Sequence, residues 1–225
     1  MAYLVRPVPD FAYSIRRSAR ARRVGVRVDP RDGAVEVVLP RWARERDAAA
    51  AVVELRPWID RRLAEAAAAR ARVEARGSTV PYLGGTLELV PEPGRTRVHR
   101  RGDLLLVPAG DARPALERWY RRQARAELEP RVARAAAAVG RPVARLTVRD
   151  QRTRWGSCTA AGALSFNWRL LLAPEEVLDY VVWHECCHLV VLDHSPRFWA
   201  LLGRHLPGYA EPQRWLRRHG ATLVL

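Results

Sequence analysis

The sequence predicts an α+β protein in which a β-rich N-terminal half, residues 1–110, precedes a helical C-terminal half, residues 111–225. Two observations support this division. Apolar and polar residues alternate within 11–40 and again within 79–108, which is the pattern of strands with one buried face. Residues 116–139 instead form one Ala- and Arg-rich run that ends at a glycine, which is typical of a long helix.

Strands account for the first part of the N-terminal half. Apolar residues alternate over 11–15 and over 24–28, and the Asp-Gly turn at 29–33 leads into a further apolar stretch at 35–38. Turns of this kind join neighbouring antiparallel strands. The pattern therefore predicts a β-meander that ends at Pro40.

Helices and a second group of strands follow. The Ala-, Arg- and Glu-rich segment 42–76 predicts two helices separated near Pro57, and Gly77 ends it. The strand pattern of 79–108 then resumes, with turn residues between its apolar stretches. The Pro-rich segment 108–114 is the predicted joint between the two halves.

The C-terminal half is predicted to be mainly helical. A helix over 116–139 should end at Gly140, because glycine readily adopts the left-handed conformation that closes a helix. Two or three short strands are expected within 143–167, and two further helices near 196–206 and 212–219. No internal repeat is visible in the sequence.

The chemistry of this half centres on a His-Glu-x-x-His motif. His184 and His188 are four residues apart, so on a helix they lie on one face, one turn above the other. Neutral imidazoles at this spacing can bind a single Zn²⁺. Glu185 is rotated about 100° from His184 around the helix, where it can serve as general base for an activated water. Two core histidines with satisfied hydrogen bonds are the alternative interpretation.

A catalytic zinc usually has three protein ligands, so a third is required. His194 is the favoured candidate, because it lies six residues beyond His188 at the predicted start of the next helix. The alternative is a carboxylate from a later helix, and Glu211 is available. Cys187 lies near the histidine face, although most buried cysteines are simply core residues.

Composition limits the partners and the compartment. The formal net charge is +15 and every basic residue is arginine. Because the arginines are distributed along the chain, a solvated surface is favoured over a polyanion-binding site. The cysteines at 158, 186 and 187 show no paired spacing, and no signal segment or run of about 20 apolar residues is present. We therefore expect a cytoplasmic protein that does not span a membrane.

Three linked motifs carry a resemblance to a known family. They are Arg-Trp-Gly-Ser-Cys at 154–158, Asn-Trp-Arg-Leu at 167–170 before the His-Glu-x-x-His helix, and His-Ser-Pro-Arg-Phe-Trp at 194–199. With Tyr-Ser-Ile-Arg-Arg-Ser at 13–18, they make the chain resemble the YgjP-like metallopeptidases over essentially its whole length. The resemblance implies one family domain whose catalytic half is a minimal zincin: a backing helix, a small sheet, the HExxH helix and C-terminal helices.

The resemblance also implies functional roles. It assigns His184, His188 and His194 to the metal and Glu185 to acid–base catalysis, and it predicts a zinc-dependent hydrolase of peptide or protein substrates. Arg154 and Asn167 are candidate substrate-binding residues that could stabilise an oxyanion. Their alternative roles are those of a turn residue and a cap at the rim of the core.

Two other functions remain open. Members of the family have also been described as nucleotide pyrophosphohydrolases, and the arginine surplus favours that activity mildly. However, Mg²⁺ prefers carboxylate and water oxygens to histidine nitrogens. The local pattern is also similar to the WLM and SprT-like proteases, which suggests a protease associated with nucleic acid. No basic motif interleaved with aromatic residues supports sequence-specific binding.

Overall fold

The computed structural model describes residues 4–8, 11–29, 32–151 and 154–225. The chain forms two compact units, Met1–Ala75 with Val224, and Arg76–Leu223 with Leu225. Each unit has its own hydrophobic core. Among the described residues, no helix combines the length and the apolar character that crossing a membrane requires.

A four-stranded sheet forms most of the first unit. Its strands, in chain order, are β1 (Leu4–Val8), β2 (Phe11–Ser18), β3 (Gly25–Val28) and β4 (Val35–Pro40). Their spatial order is β1-β2-β4-β3, and β2 and β4 run parallel. The predicted meander is therefore wrong, because β4 lies between β2 and β3. Strand β4 is the most deeply buried of the three whose side chains are described, which explains its central place.

The turn that connects β3 and β4 was predicted at 29–33. Its residues 30 and 31 lie outside the described part of the chain, but the antiparallel pairing of β3 with β4 agrees with the prediction. Gly33 has a positive φ of 75°, which suits glycine in a turn of this kind.

Two helices complete the first unit: α1 (Glu45–Glu54) and α2 (Arg56–Ala75). The break between them confirms the separation predicted near Pro57, which lies in the first turn of α2, where a missing backbone N–H costs nothing. Side chains from the sheet and both helices form the core, including Tyr13, Val37, Leu39, Val52 and Ile59.

The second unit begins with another four-stranded sheet. Its strands are β5 (Thr79–Tyr82), β6 (Gly85–Glu92), β7 (His99–Arg101) and β8 (Leu104–Pro108). Their order is β5-β6-β8-β7, and β6 and β8 run parallel. Both four-stranded sheets thus consist of two hairpins whose second strands pair in parallel.

Helices and a smaller sheet form the rest of the second unit. The long helix α3 (Arg113–Val139) ends at Gly140, whose φ of 69° confirms the predicted glycine cap. Two or three strands were predicted here, and three are present: β9 (Arg145–Arg149), β10 (Gly156–Cys158) and β11 (Ala163–Asn167), in the order β10-β11-β9. A 3₁₀ turn, Trp168–Leu172, precedes α4 (Glu175–Cys187), α5 (Pro196–His205) and α6 (Ala210–His219).

The sheet β5–β8 belongs to the same compact unit as α3. The backbone N–H of Leu83 donates to the Leu171 carbonyl at 2.8 Å, and the Tyr120 hydroxyl donates to the Pro81 carbonyl. The sheet and helices also share one core around Trp168 and Phe166. The boundary between the two compact units therefore lies between residues 75 and 76, before the predicted joint at 110. The division of function at residue 110 stays a prediction.

An arginine clamp joins α3 to the beginning of α4. The guanidinium of Arg131 donates to Asp179 Oδ1 at 3.0 Å and to the carboxylates of Glu127 and Glu175. Its side chain is only 14% exposed, so these charge-assisted bonds are partly shielded from water. The clamp fixes α4 against the long helix at the end opposite the histidine pair.

Candidate metal centre

Helix α4 positions the His-Glu-x-x-His motif. Its first turn carries Glu175 and Glu176, whose charges complement the positive end of the helix dipole, and Pro174 immediately precedes it. The face that includes Val177 and Val181 is buried against the core. Packing therefore fixes the rotation of the helix, and with it the direction of the histidine pair at the C-terminal end.

The structure brings His184, His188 and His194 together. The Nε2 atoms of His184 and His188 are 3.2 Å apart, those of His188 and His194 are 3.2 Å apart, and those of His194 and His184 are 3.0 Å apart. His194 reaches the pair because the chain turns after α4. Ser195 and Pro196 then begin α5 as the sequence predicted.

Neighbouring groups hold the His188 and His194 rings in place. His188 Nδ1 lies 2.9 Å from the Val191 carbonyl oxygen, which can only accept a hydrogen bond, so Nδ1 carries the proton and Nε2 presents its lone pair. The Phe198 ring stacks on His188 with centroids 4.4 Å apart. Trp199 lies beside His194 at 5.6 Å between centroids. The aromatic residues of α5 thus orient the ring that comes from the preceding loop.

Electrostatics keep two of these rings neutral. Burial, reinforced by the neighbouring His188 and His194, lowers the pKa of His184 to about 3. Burial also lowers the pKa of His188, although the bond to Val191 partly opposes it. Neutral imidazole is the form that binds a transition metal.

The distances between the three Nε2 atoms can be compared with those expected around a tetrahedral metal ion. Three nitrogens at 2.0–2.1 Å from one tetrahedral Zn²⁺ lie about 3.3 Å from each other, close to the 3.0–3.2 Å between these rings. His184, His188 and His194 also form the one candidate ligand cluster among the described residues. The donor set therefore fits a zinc ion.

Neither alternative ligand belongs to this cluster. Glu211, the carboxylate considered from a later helix, lies exposed in the first turn of α6. Cys187 is fully buried, and burial raises the pKa of its thiol to about 11, which disfavours the thiolate that a metal would need.

Glu185 is buried beside the backbone of β10. Its side chain is 6% exposed, and burial raises the pKa of its carboxyl group to about 7, with the charge of Arg154 opposing the rise. A Cβ atom added to Gly156 would lie 2.5 Å from Glu185 Oε1 and 2.6 Å from its Cγ. Only glycine at position 156 therefore leaves room for the glutamate as it is positioned. The close approach at Gly156 is therefore between its backbone and the Glu185 side chain.

The two candidate substrate-binding residues differ in their surroundings. Asn167 is buried, its Oδ1 accepts from the backbone N–H of Arg169, and its Nδ2 donates to the carbonyls of Gln151 and Arg154. These are the hydrogen bonds of a cap that also holds the loop before β10. Arg154 is exposed and its charge acts on Glu185. Substrate binding by either residue remains a prediction.

A cleft of about 410 Å³ opens beside His184 and His194. The loop before β10 and the helices α4, α5 and α6 form its remaining walls. The lining residues from these elements are Trp155, Tyr180, Trp199, Gln213, Leu216 and Arg217. The sequence did not indicate that Trp199, Gln213, Leu216 and Arg217 line a cleft. The four-residue spacing of Gln213 and Arg217 indicates a shared helix face, but it does not identify what that face borders.

The comparison with protein families identifies a metallopeptidase domain in this chain. The family model described as "YgjP-like, metallopeptidase domain" matches residues 22–219. A solved structure that resembles the chain is the metallopeptidase zymogen abylysin of Pyrococcus abyssi, with 21% identity, coverage of 40% of this chain and 93% of that chain, and a TM-score of 0.37. A comparison with curated proteins gave no match.

Proposed function

The chain belongs to the YgjP-like family of metallopeptidase domains, and from this premise we propose that it is a zinc-dependent peptidase in which Glu185 is the general base. The observation that supports this most directly is the convergence of three imidazole nitrogens to within 3.0–3.2 Å of one another. Peptides or proteins are the proposed substrates.

The proposed metal is zinc, held by His184, His188 and His194. An all-imidazole set suits zinc, copper, iron or nickel, whereas Mg²⁺ requires oxygen ligands. Three ligands with a fourth position left open are the usual arrangement of a catalytic zinc. The same argument weighs against a magnesium-dependent nucleotide pyrophosphohydrolase.

When bound, zinc supplies a Lewis acid that polarises a carbonyl group and lowers the pKa of water. The Glu185 carboxylate accepts a proton from the attacking water as the water oxygen bonds to the carbonyl carbon. The same group then donates that proton to the amide nitrogen as the C–N bond breaks. A pKa raised by burial to about 7 suits a residue that must accept and release a proton near neutral pH.

Other side chains have supporting roles in this proposal. Exposed Arg154 is available to contact substrate near Glu185, and Asn167 holds the loop that carries Arg154. The three cysteines are free thiols, which supports a reducing compartment such as the cytoplasm.

Replacement of Glu185 tests the proposal. We expect Glu185→Gln to retain metal and to lose hydrolysis of a casein or peptide-library substrate. Glu176→Gln, a matched change at an exposed position of the same helix, should retain both. Hydrolysis at the wild-type rate by a rigorously purified Glu185→Gln protein would rule out the assigned role.

The alternative functions are separated by parallel assays. Nucleoside triphosphate hydrolysis is measured beside peptide hydrolysis, each with and without chelator, and DNA binding is measured over a range of salt concentrations. Chelator-sensitive peptide hydrolysis supports the proposal. Nucleotide hydrolysis without peptide hydrolysis would contradict it.

A further inference from the structure

The cleft beside the histidine cluster has an uneven distribution of charge. Of its described lining residues, Arg217 alone carries a permanent charge. Most of the others present indole, phenol or aliphatic surface, and Gln213 adds a neutral amide. Among the described residues, Arg217 forms no ion pair with a carboxylate. Arg217 therefore borders the cleft and is exposed to solvent, without a carboxylate partner among the described residues.

From this arrangement, and resting on the proposed peptidase function, we propose that Arg217 makes the cleft a subsite for a carboxylate of the substrate. The carboxylate would belong either to an Asp or Glu side chain or to the free C-terminus of a peptide. Arginine suits this task because its planar guanidinium can donate two parallel hydrogen bonds to one carboxylate.

The walls of the cleft suit the apolar part of such a residue. Trp155 and Trp199 provide flat surfaces, and Trp199 is itself held by stacking on Tyr209 with centroids 5.6 Å apart. A volume of about 410 Å³ lies within the usual range for small ligand sites, which is about 300–1,000 Å³. One amino-acid residue with its carboxylate fits within that space.

Arg217 lies in the same cleft as the histidine cluster, so binding of a substrate carboxylate there would affect which peptide bond is cleaved. The same cleft is bordered by His184 and His194, so a residue held there would place a neighbouring peptide bond near the histidine cluster. Gln213, one turn before Arg217 on α6, offers an additional hydrogen-bond donor. Recognition of one charge beside the cluster would therefore select which peptide bond is presented for hydrolysis.

The expected change in kcat/KM follows from the solvent exposure of the Arg217 side chain. Arg217 is exposed, so its ion pair with substrate is screened by water, and such pairs change an equilibrium up to about fivefold. We expect Arg217→Gln to lower kcat/KM about fivefold for peptides with the carboxylate and little for matched neutral peptides. Arg217→Glu should lower it about 25-fold, since repulsion replaces attraction.

The experiment uses matched peptides and the zinc-loaded full-length protein. In one arm, Glu is compared with Gln at successive positions on each side of the cleaved bond. In the other, a free C-terminal carboxylate is compared with a C-terminal amide. Arg218→Gln is the control, because Arg218 is an exposed neighbour on the same helix that does not line the cleft. Binding of the same labelled peptides to Glu185→Gln protein, measured by fluorescence anisotropy, provides a readout that does not require turnover.

A preference for the carboxylate that is lost in Arg217→Gln and kept in Arg218→Gln supports the inference, and the two arms identify the source of the carboxylate. Equal cleavage of charged and neutral peptides by the wild type overturns it. So does an equal effect of the two arginine variants, which would indicate general attraction to a basic surface. A wild type that hydrolyses none of the peptides overturns the proposed function, and the inference with it.

Discussion

The contact between Gly156 and Glu185 makes Gly156→Ala a sharp test of the catalytic arrangement. The added Cβ would lie 2.5 Å from Glu185 Oε1, 2.6 Å from Cγ and 2.8 Å from Cδ. Rotation about the last side-chain bond alone cannot relieve the overlap, because Cγ is as close as the oxygen. The whole glutamate side chain must therefore move.

The distance of that movement sets the expected loss. Atoms in ordinary contact lie about 3.5 Å apart, so the carboxyl group must shift by about 1 Å. A misplacement of about 1 Å can lower the rate of an enzyme about 100-fold. Overpacking of this kind also costs about 1–3 kcal/mol of stability. We therefore expect Gly156→Ala to fold, to bind metal and to have about 1% of the wild-type kcat.

The assay combines three measurements on each protein: kcat on a peptide substrate, bound metal per chain, and the midpoint of thermal unfolding. Gly203→Ala is the matched control, because a Cβ there would meet only Tyr209 at 3.6 Å, an ordinary contact. Within a helix that change should be neutral or slightly stabilising. A Gly156→Ala protein with wild-type kcat would refute the proposed position of Glu185.

In the metal-free protein, Glu185→Gln should be stabilising by an amount that grows from about zero at pH 4.5 to about 3 kcal/mol above pH 7. Burial raises the pKa of the Glu185 carboxyl group from 4.5 to about 7. As pH rises through this range the buried group becomes charged, so the wild type loses stability relative to the variant. Thermal unfolding in the presence of chelator measures the difference in stability, and a difference that does not depend on pH would contradict the prediction. His194→Ala should reduce bound metal from about one ion per chain to nearly none, while His205→Ala retains it, as elemental analysis would establish. Arg131→Met should lower the free energy of unfolding by about 2 kcal/mol in urea, because three carboxylates lose their shared partner. Arg125→Met, at an exposed pair, should change it by less than about 0.5 kcal/mol, and an equal loss would argue against the clamp.

Local signals in the sequence predicted much of the candidate metal centre. The four-residue spacing of His184 and His188 depends only on helix geometry, and the start of α5 at Ser195 and Pro196 depends only on capping preferences. His194 could be chosen because it is close in sequence. Each of these inferences spans a few residues, within which the physical rules are strongest.

Features that depend on residues far apart in the sequence could not be predicted in the same way. The parallel pairing of β2 with β4, and of β6 with β8, depends on which strand the core buries most deeply. The cleft joins Trp155 to helix α6, more than fifty residues later in the chain. Gly156 could not be paired with Glu185 from the sequence, because glycine has no side chain that could indicate its partner.

The single hydrogen bond from His188 Nδ1 to the Val191 carbonyl has a consequence for how protons compete with a metal ion. It commits one ring to the tautomer whose free nitrogen faces the cluster, and His184 is uncharged throughout the physiological range. At neutral pH these two rings need release no proton when a cation enters. Calorimetric titrations with zinc in buffers of different ionisation enthalpy should therefore detect almost no proton release from His184 and His188 at neutral pH.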